Sequence, residues 1–277
     1  MKKISNLFIA ILALCLLLTI VKFFLVPYGL SPLFQNLVIA TNIIIGIFVY
    51  SHAIYSLKTK AIVFILIVVG AGIVGEITIG VHAQVGSYYY TPFLPGPRIA
   101  GVPLFIPVIM HMIQMYLAYC VINYIFSGNR KNLWWPIIAI LSVAYGSFTL
   151  ATDAGREVIY GAKGFLEVWL YNSPYTSYFG VSIRTPIIWF FWGMIFLGIF
   201  LIYESRISKQ EISKPDFFPV IAYFLFALNL ISEALVVGHP EFALIQAALM
   251  LPFVIIAILV STRTWKNGKT VEANRNT

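Results

Sequence analysis

Four ionisable side chains lie in stretches otherwise suited to lipid: Glu76, His111, Asp153 and Glu233. A charge inside hydrocarbon is costly, so such a group faces protein and marks either a site or a buried pair. Glu76 sits in Gly72-x-x-x-Glu76-x-x-x-Gly80. Helical spacing of four puts all three residues on one face. The glycines let a second helix come close, which points the carboxyl into protein. A carboxyl in that position can act as a general acid, or it can be a structural hydrogen-bonder between helices. His111 has Gln114 one turn later, and it too can be a proton carrier or an interhelical bond. Asp153 lies in Thr149-x-x-Thr152-Asp153-x-x-Arg156, where Asp153 and Arg156 can pair. Asn229 and Glu233 share a face at i,i+4. Each carboxyl could be catalytic or could simply be paired with a neighbour.

Several other chemistries lack their motifs. No HExxH or other His/Cys metal spacing is present. Nor is there a Walker or dinucleotide glycine loop, or a G-x-S-x-G elbow. Cys15 and Cys120 sit in apolar runs and read as small hydrophobes. What remains is proton chemistry by carboxyls, with no cofactor and no metal.

The elements that position these residues are membrane helices. Of 277 residues, 60% are hydrophobic and 10% charged, where a soluble domain has about 25% charged. This excludes a soluble enzyme. The net charge of +8 is scattered in ones and twos, so a nucleic-acid-binding face is excluded as well. A bilayer core needs about 20 apolar residues per helix. Eight spans are expected, at 5–27, 34–57, 60–81, 102–127, 134–155, 184–204, 217–237 and 240–261. The fold class is therefore all-α, a polytopic membrane bundle forming one integral domain over 1–277, in the cell membrane. Lys2 and Lys3 before the first span suggest a signal peptide, but the run is long and no small-x-small cleavage site follows.

The basic residues set the orientation. With both termini cytoplasmic, 13 of the 18 Lys and Arg fall on the inner side and 5 on the outer. The tail 262–277 then lies in the cytoplasm, where its charge suits anionic lipid. Two outer connections, 82–101 and 156–183, are rich in Tyr, Gly and Pro and still apolar. They read as lids or re-entrant segments over the outer mouth of the bundle, or as interfacial stretches without a ligand. Glu76–His82 and Glu233–His239 share a spacing of six, which fits a four-helix duplication.

Glu76-x-x-x-Gly80, Gly86-x-Tyr88-Tyr89-Tyr90-Thr91 and Gly96-Pro97-x-x-x-Gly101-Val102-Pro103-Leu104 follow in order. Together they resemble the central signature of the carotenoid biosynthesis membrane proteins, which include bisanhydrobacterioruberin hydratase and gamma-carotene 1'-hydratase. Asp153, Trp169, Tyr178-Phe179-Gly180-Val181 and Trp189 match a second block, so the resemblance spans roughly 70–195. The chain departs from that pattern at His111, Ala154, Ser182 and Thr185, where the family usually has Trp, Pro, Pro and Asn.

The resemblance implies hydration of a terminal isoprenoid double bond without a redox cofactor. A strong acid protonates the alkene at its less substituted carbon, and water captures the tertiary cation. On this reading Glu76 is the acid and Asp153 positions water, with His111 and Glu233 as further catalytic candidates. Tyr88, Tyr89, Tyr90, Arg98, Trp169, Tyr178 and Trp189 are the candidate substrate contacts, their aromatic faces stabilising the cation. The expected partners are a lipophilic carotenoid or prenyl substrate and membrane lipids. A prenyl-lipid isomerase or cyclase uses the same cation. A proton-coupled transporter would also bury carboxyls, though nearer the midplane.

Overall fold

Runs of Leu, Ile, Val and Phe broken only by short turns leave the backbone one way to satisfy its hydrogen bonds in lipid, which is to coil on itself. In the computed structural model these runs are helices. The structure describes residues 2–29, 32–81, 88–90, 96–126, 169–171, 176–178, 181–182, 184–207, 216–236 and 238–275. Its helices are α1 (Lys2–Leu25), α2 (Pro32–Leu57), α3 (Lys60–Gly75), α4 (Met112–Ile125), α5 (Arg184–Ile202), α6 (Phe218–Val236) and α7 (Pro240–Arg275). Six segments among the described residues are long and apolar enough to cross a membrane. They are Ile4–Tyr28, Asn36–Leu57, Lys60–Thr78, Ile106–Ile125, Phe218–Val236 and Pro240–Thr262. The chain is a multi-pass membrane protein.

These six coincide with six of the eight expected spans. The segment expected at 184–204 is helical as α5. The one expected at 134–155 lies outside the described residues, and Asp153 with it. The last helix runs on to Arg275, through the segment expected to be a frayed tail.

The helices sort by burial. In the most apolar 18-residue stretch of the spans containing α4 and α6, 72% of residues are buried, against 22% in that of α1 and 28% in that of α7. So α4 and α6 are central, while α1 and α7 turn residues such as Leu17, Phe24, Ile255 and Leu259 outward. The last two helices meet at Gly238, which holds φ +81°, and His239. A left-handed turn of that kind favours glycine. Here the end of the bundle where α1 begins is called the near end, and the end where α1 finishes the far end.

Three of the helices change pitch at their ends. α3 continues as a π-helical turn, Glu76–Val81. A second π turn, Ile106–His111, leads into α4. A third, Tyr203–Ile207, extends α5. The i→i+5 bonds of a π turn widen the helix, and such turns recur at functional sites. The first begins at Glu76 and the second ends at His111. This also corrects the face geometry read from spacing. Gly72 and Glu76 are one α-helical turn apart, but Gly80 lies inside the widened turn, Glu76–Val81, and is no longer four-residue-aligned with them.

The two aromatic connections are joined to each other. β1 (Tyr88–Tyr90) pairs antiparallel with β4 (Trp169–Tyr171), in the register Tyr88↔Tyr171, Tyr89↔Leu170, Tyr90↔Trp169. β2 (Arg98–Ile99) pairs with β3 (Val102–Pro103), and β5 (Thr176–Tyr178) with β6 (Val181–Ser182).

Candidate functional site

The site is built where the end of α3 meets the start of α4. Glu76 and His111 are both buried, and Glu76 Oε1 lies 3.0 Å from His111 Nε2. Tyr90, from β1, donates its hydroxyl to Glu76 Oε2 at 2.7 Å. Both carboxyl oxygens are thus engaged by titratable partners, one from the second π turn and one from β1. Arg98 Nη1 donates to the Tyr90 carbonyl at 3.2 Å and anchors the strand that carries it. The second π turn is pinned from α2, where the Tyr50 hydroxyl donates to the Val108 carbonyl at 2.7 Å.

Two glycines make this approach possible. A Cβ on Gly72 would stand 2.6 Å from His111 Nδ1 and 3.3 Å from Pro107 Cβ. A Cβ on Gly75 would overlap the Trp192 indole. The small residues on α3 therefore admit α4 on one side and α5 on the other, as small residues do at close membrane-helix crossings. Trp192 stacks near Phe196 at 5.0 Å between ring centroids. Its buried Nε1 has no hydrogen-bond partner among the described residues.

The candidate residues fall into three sets. Glu76, His111, Tyr90 and Arg98 come together. The backbones of Tyr88, Tyr89 and Trp169 join the same ladder, while their side chains, with those of Tyr178 and Trp189, lie outside the described residues. Glu233 belongs to a second group. It is buried on α6, accepts from Asn229 Nδ2 at 2.7 Å, and is close enough to Lys22 on α1 to act on it electrostatically. The Lys22 side chain is wholly enclosed.

The near end holds two clusters that span-by-span reading passed over. His52 Nε2 lies 2.9 Å from Asp216 Oδ2, and His52 Nδ1 lies 2.7 Å from the Tyr116 hydroxyl. With Nε2–H donating to the carboxylate, Nδ1 is left to accept from tyrosine. Asp216 also caps α6 by accepting from Phe218 N at 3.0 Å. Beside this chain, Tyr119 donates to both oxygens of Glu204 at 3.0 Å, and Lys60 Nζ lies 3.4 Å from Glu204 Oε1. Lys60 and Glu204, the end residues of the expected spans 60–81 and 184–204, are both buried. The π turn at Tyr203–Ile207 extends α5 and keeps Glu204 within the bundle.

A buried carboxyl between an imidazole and a phenol can hold a proton, deliver it to a neighbouring atom and recover it. No group of three or more metal-ligating side chains occurs among the described residues. Comparison with known protein families, curated proteins and solved structures found no match.

Proposed function

We propose that this chain is a membrane-embedded isoprenoid hydratase that adds water to a terminal double bond of a carotenoid. The observation that carries the reading is the enclosed Glu76 carboxyl held between His111 and Tyr90. Glu76 and Tyr90 are also residues of the motif that resembles the carotenoid family.

The chemistry runs as a closed proton cycle. The Glu76–His111 pair carries one transferable proton. That proton goes to the less substituted alkene carbon, and the π electrons form the new C–H bond. The adjacent carbon becomes a tertiary cation. Water attacks it, forming the C–O bond, and the displaced proton returns to the pair. The net reaction is alkene plus water to tertiary alcohol, with nothing oxidised or reduced. Tyr90 keeps Glu76 Oε2 occupied, so Oε1 and His111 are the proton-handling atoms. His111 fits this scheme as the group that shares the proton. The family pattern has Trp near this position, so the pair is a feature of this chain's own sequence. An aromatic face suits a short-lived cation, and the Tyr90 ring lies beside the Glu76 carboxyl.

Cells that accumulate an acyclic-ended carotenoid provide the test. Expression of this protein should yield a pigment heavier by one water. An isomer or cyclic product of unchanged mass would instead assign the protein to the other cation chemistry, and no new product would refute the reading. Glu76→Gln keeps the shape and removes the acid. It should lower turnover by at least about 10²–10⁴-fold, with normal membrane abundance. Full activity would remove Glu76 from the acid role.

A second reading, a proton-coupled carrier, is favoured by one observation. The Asp216–His52–Tyr116 chain offers a proton route from the near end. Uptake into proteoliposomes that depends on both Glu76 and His52 would establish it.

A further inference from the structure

Lys22 lies near the far end of α1, six residues before Tyr28. A lysine so placed can run its stem along apolar surface and set its ammonium in the headgroup region. Here it does the opposite. Its side chain is 0% exposed, and Nζ has no hydrogen-bond partner among the described residues. On α6, which packs against α1, Asn229 has spent its amide N–H on Glu233, and its own buried Oδ1 has no hydrogen-bond partner either. A buried orphan donor and a buried orphan acceptor on two facing helices, with a carboxylate acting on the donor, are costly unless something completes them.

Charge and hydrogen bonding narrow what that something is. A free anion would meet Glu233, and a free cation would meet Lys22, so the guest is neutral. Lys22 can only donate, while the Asn229 amide oxygen can only accept. A carbonyl or ether answers the first need alone. A hydroxyl answers both, because it accepts from the ammonium and donates to the amide oxygen. We propose that Lys22, Asn229 and Glu233 form a hydroxyl-binding site at the far end of the α1–α6 contact, filled by water or by the terminal alcohol of a lipid-soluble chain. The inference stands whether or not the hydratase reading holds.

The test uses the full chain purified in mild detergent. Binding of labelled geranylgeraniol is compared with binding of the same hydrocarbon chain lacking the hydroxyl. In parallel, hydroxyl-radical footprinting without added alcohol reads whether the enclosed Lys22 is modified, which requires an ordered water beside it. A lipid alcohol as occupant predicts a preference of about tenfold for geranylgeraniol, equivalent to ~1.4 kcal/mol, lost in Lys22→Met. Lys22→Gln keeps a donor and should retain part of that preference, which separates a lost site from a misfolded one. Water as occupant predicts no alcohol preference but modification of Lys22 in the folded protein. Absence of both the preference and the modification overturns the proposal.

Discussion

Gly72→Ala adds a single methyl group where α3 meets the start of α4, and its consequence can be worked from the geometry. The new Cβ would stand 2.6 Å from His111 Nδ1, where ordinary contact starts at 3.4 Å. The imidazole must therefore retreat by 3.4 − 2.6, or about 0.8 Å. Pro107, on the same π turn as His111, is also close at 3.3 Å, so the methyl meets two residues of that element at once. A retreat of that size along the contact stretches the 3.0 Å approach of His111 Nε2 to Glu76 Oε1 beyond hydrogen-bonding range. Overpacking of this kind costs about 1–3 kcal/mol. A reacting group displaced by roughly 1 Å loses on the order of 10²-fold in rate. Under the hydratase reading, turnover to the hydrated carotenoid should fall by about that factor. The thermal midpoint in detergent should fall by roughly 2–4 °C for each kcal/mol. Gly70→Ala is the matched control, because a Cβ there meets nothing within 4 Å. Relieved of glycine's helix penalty of ~1 kcal/mol, that variant should be neutral or slightly more stable. If Gly72→Ala matched Gly70→Ala in both midpoint and turnover, the close packing of α3 on His111 would be refuted.

Gly75→Ala should be the more damaging variant, since its methyl would overlap the Trp192 indole, and the check is a steep loss of folded protein on size-exclusion chromatography. Tyr90→Phe removes one hydrogen bond to Glu76 and should cost about 0.5–1.5 kcal/mol, read as up to roughly tenfold in turnover with membrane abundance unchanged. Lys60→Met alone leaves Glu204 buried opposite an apolar group and should destabilise by about 3–5 kcal/mol; adding Glu204→Gln should recover much of that loss in the same melting assay. His52→Phe breaks the Asp216–Tyr116 chain, and under the hydratase reading it should lower the thermal midpoint while sparing turnover per folded molecule.

The long spans were readable because lipid imposes a simple demand, about 20 apolar residues in a row, and these helices meet it. Gly72 and Glu76 were readable for a related reason, since their four-residue spacing survives in the α-helical part of α3. The partnership of Glu76 with His111 was not. The two residues are 35 positions apart, and their meeting depends on two π turns that no hydrophobic periodicity announces. Pro107, inside the second turn, is the one local sign of irregularity there, since proline removes a backbone donor. Gly75 escaped notice because it lies one residue off the Gly72–Glu76 pattern, though it makes the tighter approach. The burial of Lys22, Lys60 and Glu204 was not legible, for a shared physical reason. Charge counting assigns a residue near a helix end to the nearest surface, whereas a long side chain can turn either way. Only the packing of neighbouring helices decides which.

The two ends of the bundle answer different demands, and proton balance explains the division. Hydration consumes no net proton, because the one given to the alkene is recovered from the attacking water. A hydratase therefore needs a proton-holding pair at the reacting carbon and no conduit to solvent. Glu76 with His111 meets that need within one contact of 3.0 Å. A carrier has the converse need, a continuous path between both faces. The near-end chain reaches Tyr116, which is itself fully buried on α4. From Tyr116 back to His111 is five residues, roughly 7.5 Å of helix rise. The Tyr116 hydroxyl is engaged by His52, not by His111. Asp216 meanwhile also caps α6, as expected of a group that fixes helices in register. The near-end residues thus do what buried polar groups do between packed helices, which is to specify which helix meets which. Under the proposed hydratase reading, the far-end carboxyl, held between His111 and Tyr90, is the group that acts on a substrate.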